Sequence, residues 1–241
     1  MDGPEELLRA LGVDDDTLDA EERRFLDENG FLCLRDLISP GLAAELVDRV
    51  ASHFADRGGP PALHGTLHAD GLLLERPSFA IWSHPRVLAA VAQILGPDFR
   101  AVDLAYRAPT PGYGEQTLHI DWSGVPVGQK APVCTVIFPL ADFEDRNGAT
   151  RVVPGSHRCG KKPKHSSPAE VHPGETRLLG PAGSAFVLNG LIWHSGTRNQ
   201  GDAPRHSLSA SFRASDVQLF DKGPRVLPDW LSPAAAKLVA R

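Results

Sequence analysis

The 241 residues carry 25 Lys and Arg against 30 Asp and Glu, a net charge of −5 with a pI near 6.0, so neither a nucleic-acid partner nor an anionic membrane is expected. A chain of this length buries one sizeable core, and 41% hydrophobic with 23% charged residues is an ordinary globular balance. The acidic start MDGPEELLRALG lacks the layout of a secretory signal, and no apolar run reaches the roughly 18 residues of a membrane span.

Cysteine points away from the chemistry. Cys33, Cys134 and Cys159 are far apart and odd in number, which argues against a disulfide framework and for a reducing cytoplasm. They form no CxxC zinc pattern.

Taken in chain order, the first third reads as helical. Residues 20 to 29 form a helix that ends at Gly30, a residue suited to a helix C-cap. FLCL at 31 to 34 reads as a strand. Ser39 and Pro40 supply a cap and a first-turn proline, and Leu42, Leu46, Val47, Val50 and Phe54 follow at helical spacing until Gly58-Gly59. A second amphipathic helix runs from Pro85 to Leu95 and stops at Gly96-Pro97.

From about residue 100 the texture changes to short β-like runs: AVDLAYRA, TLHIDW, PVCTVIFPL, ATRVVP, TRLLG, SAFVLNG, LIWHSG and HSLSASF. Asn147-Gly148 is the strongest tight-turn signal. Ser232-Pro233 opens a short C-terminal helix. No internal repeat or low-complexity tract interrupts the pattern. The expected fold is mainly β (α+β): a single domain over 1–241, with a mostly helical flank over 1–99 and a jelly-roll (double-stranded β-helix) core over 100–215.

His119-Ile120-Asp121 lies in an extended run, so its imidazole and carboxylate point to one face and can grip one metal from adjacent corners. His194 ends another apolar run, FVLNGLIWH. One His-x-Asp with a distant His is the 2-His-1-carboxylate set, which leaves positions open on Fe(II). Two open positions suit the keto and carboxylate oxygens of 2-oxoglutarate, and the third suits O₂. The far carboxylate of that co-substrate needs a fixed cation, and Arg205, in the next strand-like run, supplies one. A second copy of the motif, His68-Ala69-Asp70, sits in the loop-like stretch GGPPALHGTLHADG, where no strand is expected to align the pair. The bland reading of His119 and Asp121 is a hydrogen-bonded surface pair; His194 and Arg205 together argue against it.

Around these residues the chain resembles the phytanoyl-CoA dioxygenase family of iron(II)/2-oxoglutarate oxygenases. FLDENGFLCLRDLISPGLAAELVDRV is similar to the family's N-terminal segment, PTPGYGEQTLHID to its approach to the metal pair, NGATRVVPGSH to a characteristic signature, and GSAFVLNGLIWHSG to the approach to its distal histidine. The resemblance runs from about residue 20 to 215. It implies His119, Asp121 and His194 as iron ligands and Arg205 as the 2-oxoglutarate arginine. The family often reads His-Gly-Ser-Gly at the distal histidine, whereas this chain reads His194-Ser195-Gly196-Thr197, so Ser195 and Thr197 compete for the hydroxyl that assists the co-substrate. Relatives that bind halide replace the aspartate by a small residue; Asp121 is intact, which argues against a halogenase.

Alternation along PVCTVIFPL puts Thr135 and Ile137 on one face, where both suit 2-oxoglutarate, as does ordinary strand filling. Tyr106 and Trp122 are substrate-pocket candidates, with packing as the competing role. His157 reads as structural. The polar loop 158–174 separates the ligand-bearing strands and suits a lid, with Lys161, Lys162 and Lys164 toward an anionic substrate, or a solvated connector. The function expected is decarboxylation of 2-oxoglutarate coupled to oxidation of an unactivated C–H of a small molecule. Hydroxylation or oxidative ring closure in secondary metabolism is the outcome foreseen, with sugar-containing, orthoester-forming antibiotics as one substrate class. The competing readings are a primary-metabolite hydroxylase, a non-catalytic metal-binding sensor and a zinc hydrolase; the last has no need of Arg205 and no Glu beside a ligand as base.

Overall fold

The computed structural model describes residues 3–55, 62–122, 131–164, 167–217 and 225–239. Five helices come before most of the sheet: α1 (Pro4–Ala10), α2 (Ala20–Asn29), α3 (Pro40–His53), α4 (Arg76–Trp82) and α5 (Pro85–Leu95); α6 (Pro233–Val239) follows it. Helix α2 starts with a capping box: the Asp19 carboxylate accepts from the Glu22 amide, and the Glu22 carboxylate accepts from the Asp19 amide. It ends at Gly30 with φ of 79°, left-handed backbone that glycine adopts without a Cβ penalty. Ser39 caps α3 by accepting from the Leu42 amide, with Pro40 in the first turn.

The strands are β1 (Phe31–Leu34), β2 (Ala62–Leu63), β3 (Thr66–Ala69), β4 (Phe99–Pro109), β5 (Val133–Pro139), β6 (Thr150–Val153), β7 (Thr176–Arg177), β8 (Ala185–Asn189), β9 (Trp193–Gly196) and β10 (Ser207–Ala214). They form two antiparallel sheets, one ordered β1-β8-β5-β10-β4-β3-β2 and one ordered β7-β6-β9. Period-two alternation gives the large sheet two different faces. Cys134, Val136 and Phe138 of β5, Leu208, Ala210 and Phe212 of β10, and Leu104 and Ala108 of β4 join the core shared with the helices. The opposite face looks into the sandwich, where Phe186, Leu188 and Ile137 meet Val152, Ala149, Phe143 and Ile192. The result is the jelly roll with flanking helices that the strand count suggested.

Two local expectations differ, and one helix, α4, was not expected. The TLHIDW run is no full strand: it makes one bridge, in which the His119 and His194 amides exchange 3.0 Å hydrogen bonds, and then leaves toward the β8–β9 connection, where the Asp121 amide bonds the Gly190 carbonyl at 2.9 Å. The stretch holding His68 is β3, paired with β4, because edge pairing supplies order that its glycines and prolines hide. Helix α4 carried no periodic signal; it forms because Trp82 is fully buried and its indole N–H bonds the Leu73 carbonyl at 2.9 Å.

Candidate metal centre

His119, Asp121 and His194 each offer a ligand atom, and these atoms lie within 4.8 Å of one another. His194 Nε2 is 3.5 Å from Asp121 Oδ1, and the two imidazole centroids are 4.5 Å apart. Nδ1 of His119 lies 2.9 Å from the Thr117 carbonyl, and Nδ1 of His194 lies 3.0 Å from the Ile192 carbonyl. A carbonyl can only accept, so each Nδ1 carries the proton and each Nε2 keeps its lone pair for a metal. Burial, and then the neighbouring His194, pushes His119 below the ordinary histidine range and favours this neutral ligand form. Asp121 is oriented from its other oxygen: Thr135 Oγ1 donates to Oδ2 at 2.6 Å.

Two glycines allow this convergence. A Cβ on Gly196 would stand 2.4 Å from the Gly114 carbonyl oxygen, so only glycine lets β9 run against the segment that delivers His119. A Cβ on Gly190 would stand 2.5 Å from the Val133 carbonyl, the acceptor of Gly190's own amide.

Arg205 lies inside the same sandwich. It is 7% exposed, its guanidinium stacks 3.8 Å over the Phe143 ring, and Nε and Nη1 are buried without a hydrogen-bond partner. Burial pushes it down to about 9. A buried, unsatisfied guanidinium is costly, and a carboxylate is the group that offsets its charge and accepts from its donors.

The model of the family described as phytanoyl-CoA dioxygenase (PhyH) matches residues 26–207. The chain belongs to the phytanoyl-CoA dioxygenase family. It is therefore an enzyme of the oxygenase class. Among curated relatives, the dioxygenase andF of Emericella variicolor is 25% identical over 248 residues, covering 93% of this chain and 85% of that one. Among solved structures, the non-heme alpha ketoglutarate dependent carbocyclase SnoK from nogalamycin biosynthesis superposes with a TM-score of 0.68 at 17% identity, over 83% of this chain and 86% of that one. HygX from Streptomyces hygroscopicus, solved with nickel and 2-oxoglutarate bound, gives 0.64 at 16%, over 83% and 88%. These likenesses agree with the jelly roll.

Within this PhyH-family fold, several expected site residues lie elsewhere. Ser195 and Thr197 are both turned to other partners. Ser195 is fully buried on the face of β9 opposite to His194, where its hydroxyl accepts from Arg151 Nε at 2.7 Å, and Thr197 donates to the Ala149 carbonyl at 2.7 Å. Tyr106 belongs to the helix-side core, 2% exposed, with its hydroxyl bonded to His206 Nδ1, rather than to the face that carries Thr135 and Ile137. The error came from phase: the face of β4 that holds Leu104 and Tyr106 is the one opposite to the metal. His68 and Asp70 are aligned after all, but with each other at 2.7 Å and with Arg107, which leaves them no role as a metal pair.

Lys162 is exposed, and the described parts of loop 158–174 cover the outer face of the small sheet rather than the metal. Trp193 Nε1 donates to the Lys161 carbonyl at 2.8 Å, and His172 packs edge-on against the Trp193 ring. The described parts of the loop are thus anchored on the small sheet. Ile137 packs between the sheets, and Trp122 is half-buried beside Asp121 at the edge of the undescribed residues 123–130.

The sequence reading missed Arg151, whose guanidinium organises that outer face. Only 3% exposed, it donates to Ser195 Oγ, the Glu170 and Pro168 carbonyls at 2.8 and 3.0 Å, the Glu175 carboxylate at 3.2 Å and the Gln116 carbonyl at 3.4 Å. It ties the strand of His194 to the segment leading to His119. The signal was available, since an arginine in the apolar run ATRVVP on a central strand must be paired if buried.

Proposed function

We propose that this protein is an iron(II)- and 2-oxoglutarate-dependent oxygenase of secondary metabolism that oxidises an unactivated C–H of a small molecule, by hydroxylation or oxidative ring closure. Sugar-containing antibiotics are the substrate class we favour, in keeping with the antibiotic pathway named for SnoK. The observation that carries the reading is the unpartnered Arg205 guanidinium in the same sandwich as the three ligands. A triad alone suits several metals and reactions; a triad with a buried cation waiting for a carboxylate suits an oxo-dicarboxylate co-substrate.

His119, Asp121 and His194 hold Fe(II), and Arg205 holds the far carboxylate of 2-oxoglutarate. Bound together, iron and 2-oxoglutarate supply a two-electron oxidation in which O₂ gives one oxygen atom to succinate, CO₂ leaves, and the other oxygen ends on the substrate or in water. The protein's own residues do the rest. Thr135 fixes the Asp121 carboxylate, and Ile137 gives the co-substrate an apolar wall. The carbonyls of Thr117 and Ile192 keep both imidazoles in the binding tautomer, and the inter-sheet cluster excludes water from the Arg205 end.

The test is anaerobic reconstitution with Fe(II), 2-oxoglutarate and ascorbate, followed by O₂ and quantification of succinate. Succinate from the wild type and none from Asp121→Ala is expected. A wild type that forms none, alone or with candidate substrates, overturns the proposal.

A further inference from the structure

We propose that Arg213 determines specificity by pairing with a carboxylate of the organic substrate, at the end of β10 remote from Arg205. This rests on the oxygenase reading above and adds a substrate class to it.

The placement follows from strand register. Leu208, Ala210 and Phe212 of β10 face the helices, so Ser207, Ser209, Ser211 and Arg213 alternate onto the sandwich side. Across the ladder to β5, Ser209 stands beside Ile137, Ser211 beside Thr135 and Arg213 beside Val133. Thr135 bonds Asp121, which puts the metal near the Ser211 row. Val133 connects to the ligand by a second route: its carbonyl accepts from Gly190, whose carbonyl accepts from the Asp121 amide. Arg213 is thus one strand across from the chain of bonds that fixes Asp121. Arg205 enters the sheet from the other end of β10, about 26 Å of extended chain away at about 3.3 Å per residue. Arg205 and Arg213 thus stand at opposite ends of β10, with the Ser209 and Ser211 rows between them.

Charge completes the argument. Arg213 Nε is buried without a hydrogen-bond partner, and the guanidinium makes no ion pair among the described residues. Its partner across the β4 ladder is Arg100, a like charge directly opposite, and Arg100 takes the nearest carboxylate, Asp98, for itself. The nearby carboxylates are committed elsewhere. Asp98 pairs with Arg100 at 3.2 Å and accepts from Ser215, and Asp103 accepts from the amides of Leu104 and Gly71. One cation in this row is left for a ligand, and a bidentate oxyanion matches it.

The experiment uses the full-length protein loaded with Fe(II) and 2-oxoglutarate without O₂, titrated with matched pairs: benzoate and benzamide, phenylacetate and phenylacetamide, cinnamate and cinnamamide. Binding is read from the visible charge-transfer absorption of the metal complex. Each acid is expected to bind at least about tenfold more tightly than its amide, the scale of one charged hydrogen bond. Arg213→Gln abolishes that preference and Arg213→Lys restores part of it, while the dissociation constant for 2-oxoglutarate stays within about twofold. A wild type with no acid preference anywhere in the set overturns the proposal, as does Arg213→Gln with the preference intact. A loss of 2-oxoglutarate affinity in that variant also overturns it, because Arg213 then serves the co-substrate. Failure of the oxygenase reading is separate: the wild type then shows no 2-oxoglutarate-dependent absorption at all. Circular dichroism of both variants, with Arg213→Lys keeping the charge, separates misfolding from loss of recognition.

Discussion

Replacing Arg205 by Met sets the stability of the empty protein against its affinity for 2-oxoglutarate. The guanidinium is 7% exposed, with Nε and Nη1 buried and unpartnered and the Phe143 ring 3.8 Å away. Methionine keeps the contact with Phe143 and removes an uncompensated charge, a change that raises stability by about 1–4 kcal/mol when buried ions are replaced by apolar groups. At about 2–4 °C per kcal/mol for a chain of this size, the melting temperature of the unliganded variant rises by a few to about 15 °C. The opposite happens with ligand. Two charge-assisted hydrogen bonds of about 1.5–3 kcal/mol each disappear, so affinity for 2-oxoglutarate falls about 10²- to 10⁴-fold. Scanning calorimetry on metal-loaded, oxygen-free protein reads both effects. At 2-oxoglutarate one hundred times the wild-type Kd, the wild type gains about 2.7 kcal/mol and the variant at most about 0.4. A variant that melts below the wild type and is still stabilised by 2-oxoglutarate refutes the reasoning, because Arg205 then has a structural partner and no ligand role.

Thr135→Val removes the 2.6 Å bond to Asp121 at nearly constant volume; metal affinity, measured by competition with a chelator, falls about 10- to 100-fold while the melting temperature of the metal-free protein changes little. Arg151→Met strands the Glu175 carboxylate and the carbonyls of Pro168 and Glu170, costing about 3–5 kcal/mol in denaturant unfolding and exposing residues 167–175 to proteolysis; Arg151→Lys does not restore the lost fork of donors. Because burial lowers Arg205 to about 9 and a bound carboxylate raises it again, affinity for 2-oxoglutarate is flat below that pH and falls above it by up to about tenfold per unit, measured by titration calorimetry. Among the thiols, exposed Cys159 reacts first with an aromatic disulfide reagent, and Cys134, fully buried with its thiol pushed up by burial, reacts only on unfolding.

Features that depend on neighbours along the chain were legible before the fold. The cap at Ser39, the left-handed stop at Gly30 and the two amphipathic helices followed from local chemistry, and so did the strands with clean alternation. The cluster of His119, Asp121 and His194, with Arg205 in the same sandwich, was legible because the proposed metal and oxo-dicarboxylate demand particular residue types at particular spacings, whatever lies between them. Tertiary structure alone decided the phase of each strand. The pattern of β4 says that Leu104 and Tyr106 share a face but not which face looks at the metal, and packing against the helices put them on the wrong one for a substrate. It also decided the use of each hydroxyl: Thr135 supports Asp121, whereas Ser195 is consumed by Arg151 across a ladder that pairs residues 44 apart. Hydrogen-bond partners at such separations are set by sheet register, and register is a property of the assembled sandwich. The metal triad could be read from spacing; the groups that hold, neutralise and surround it had to wait for the fold.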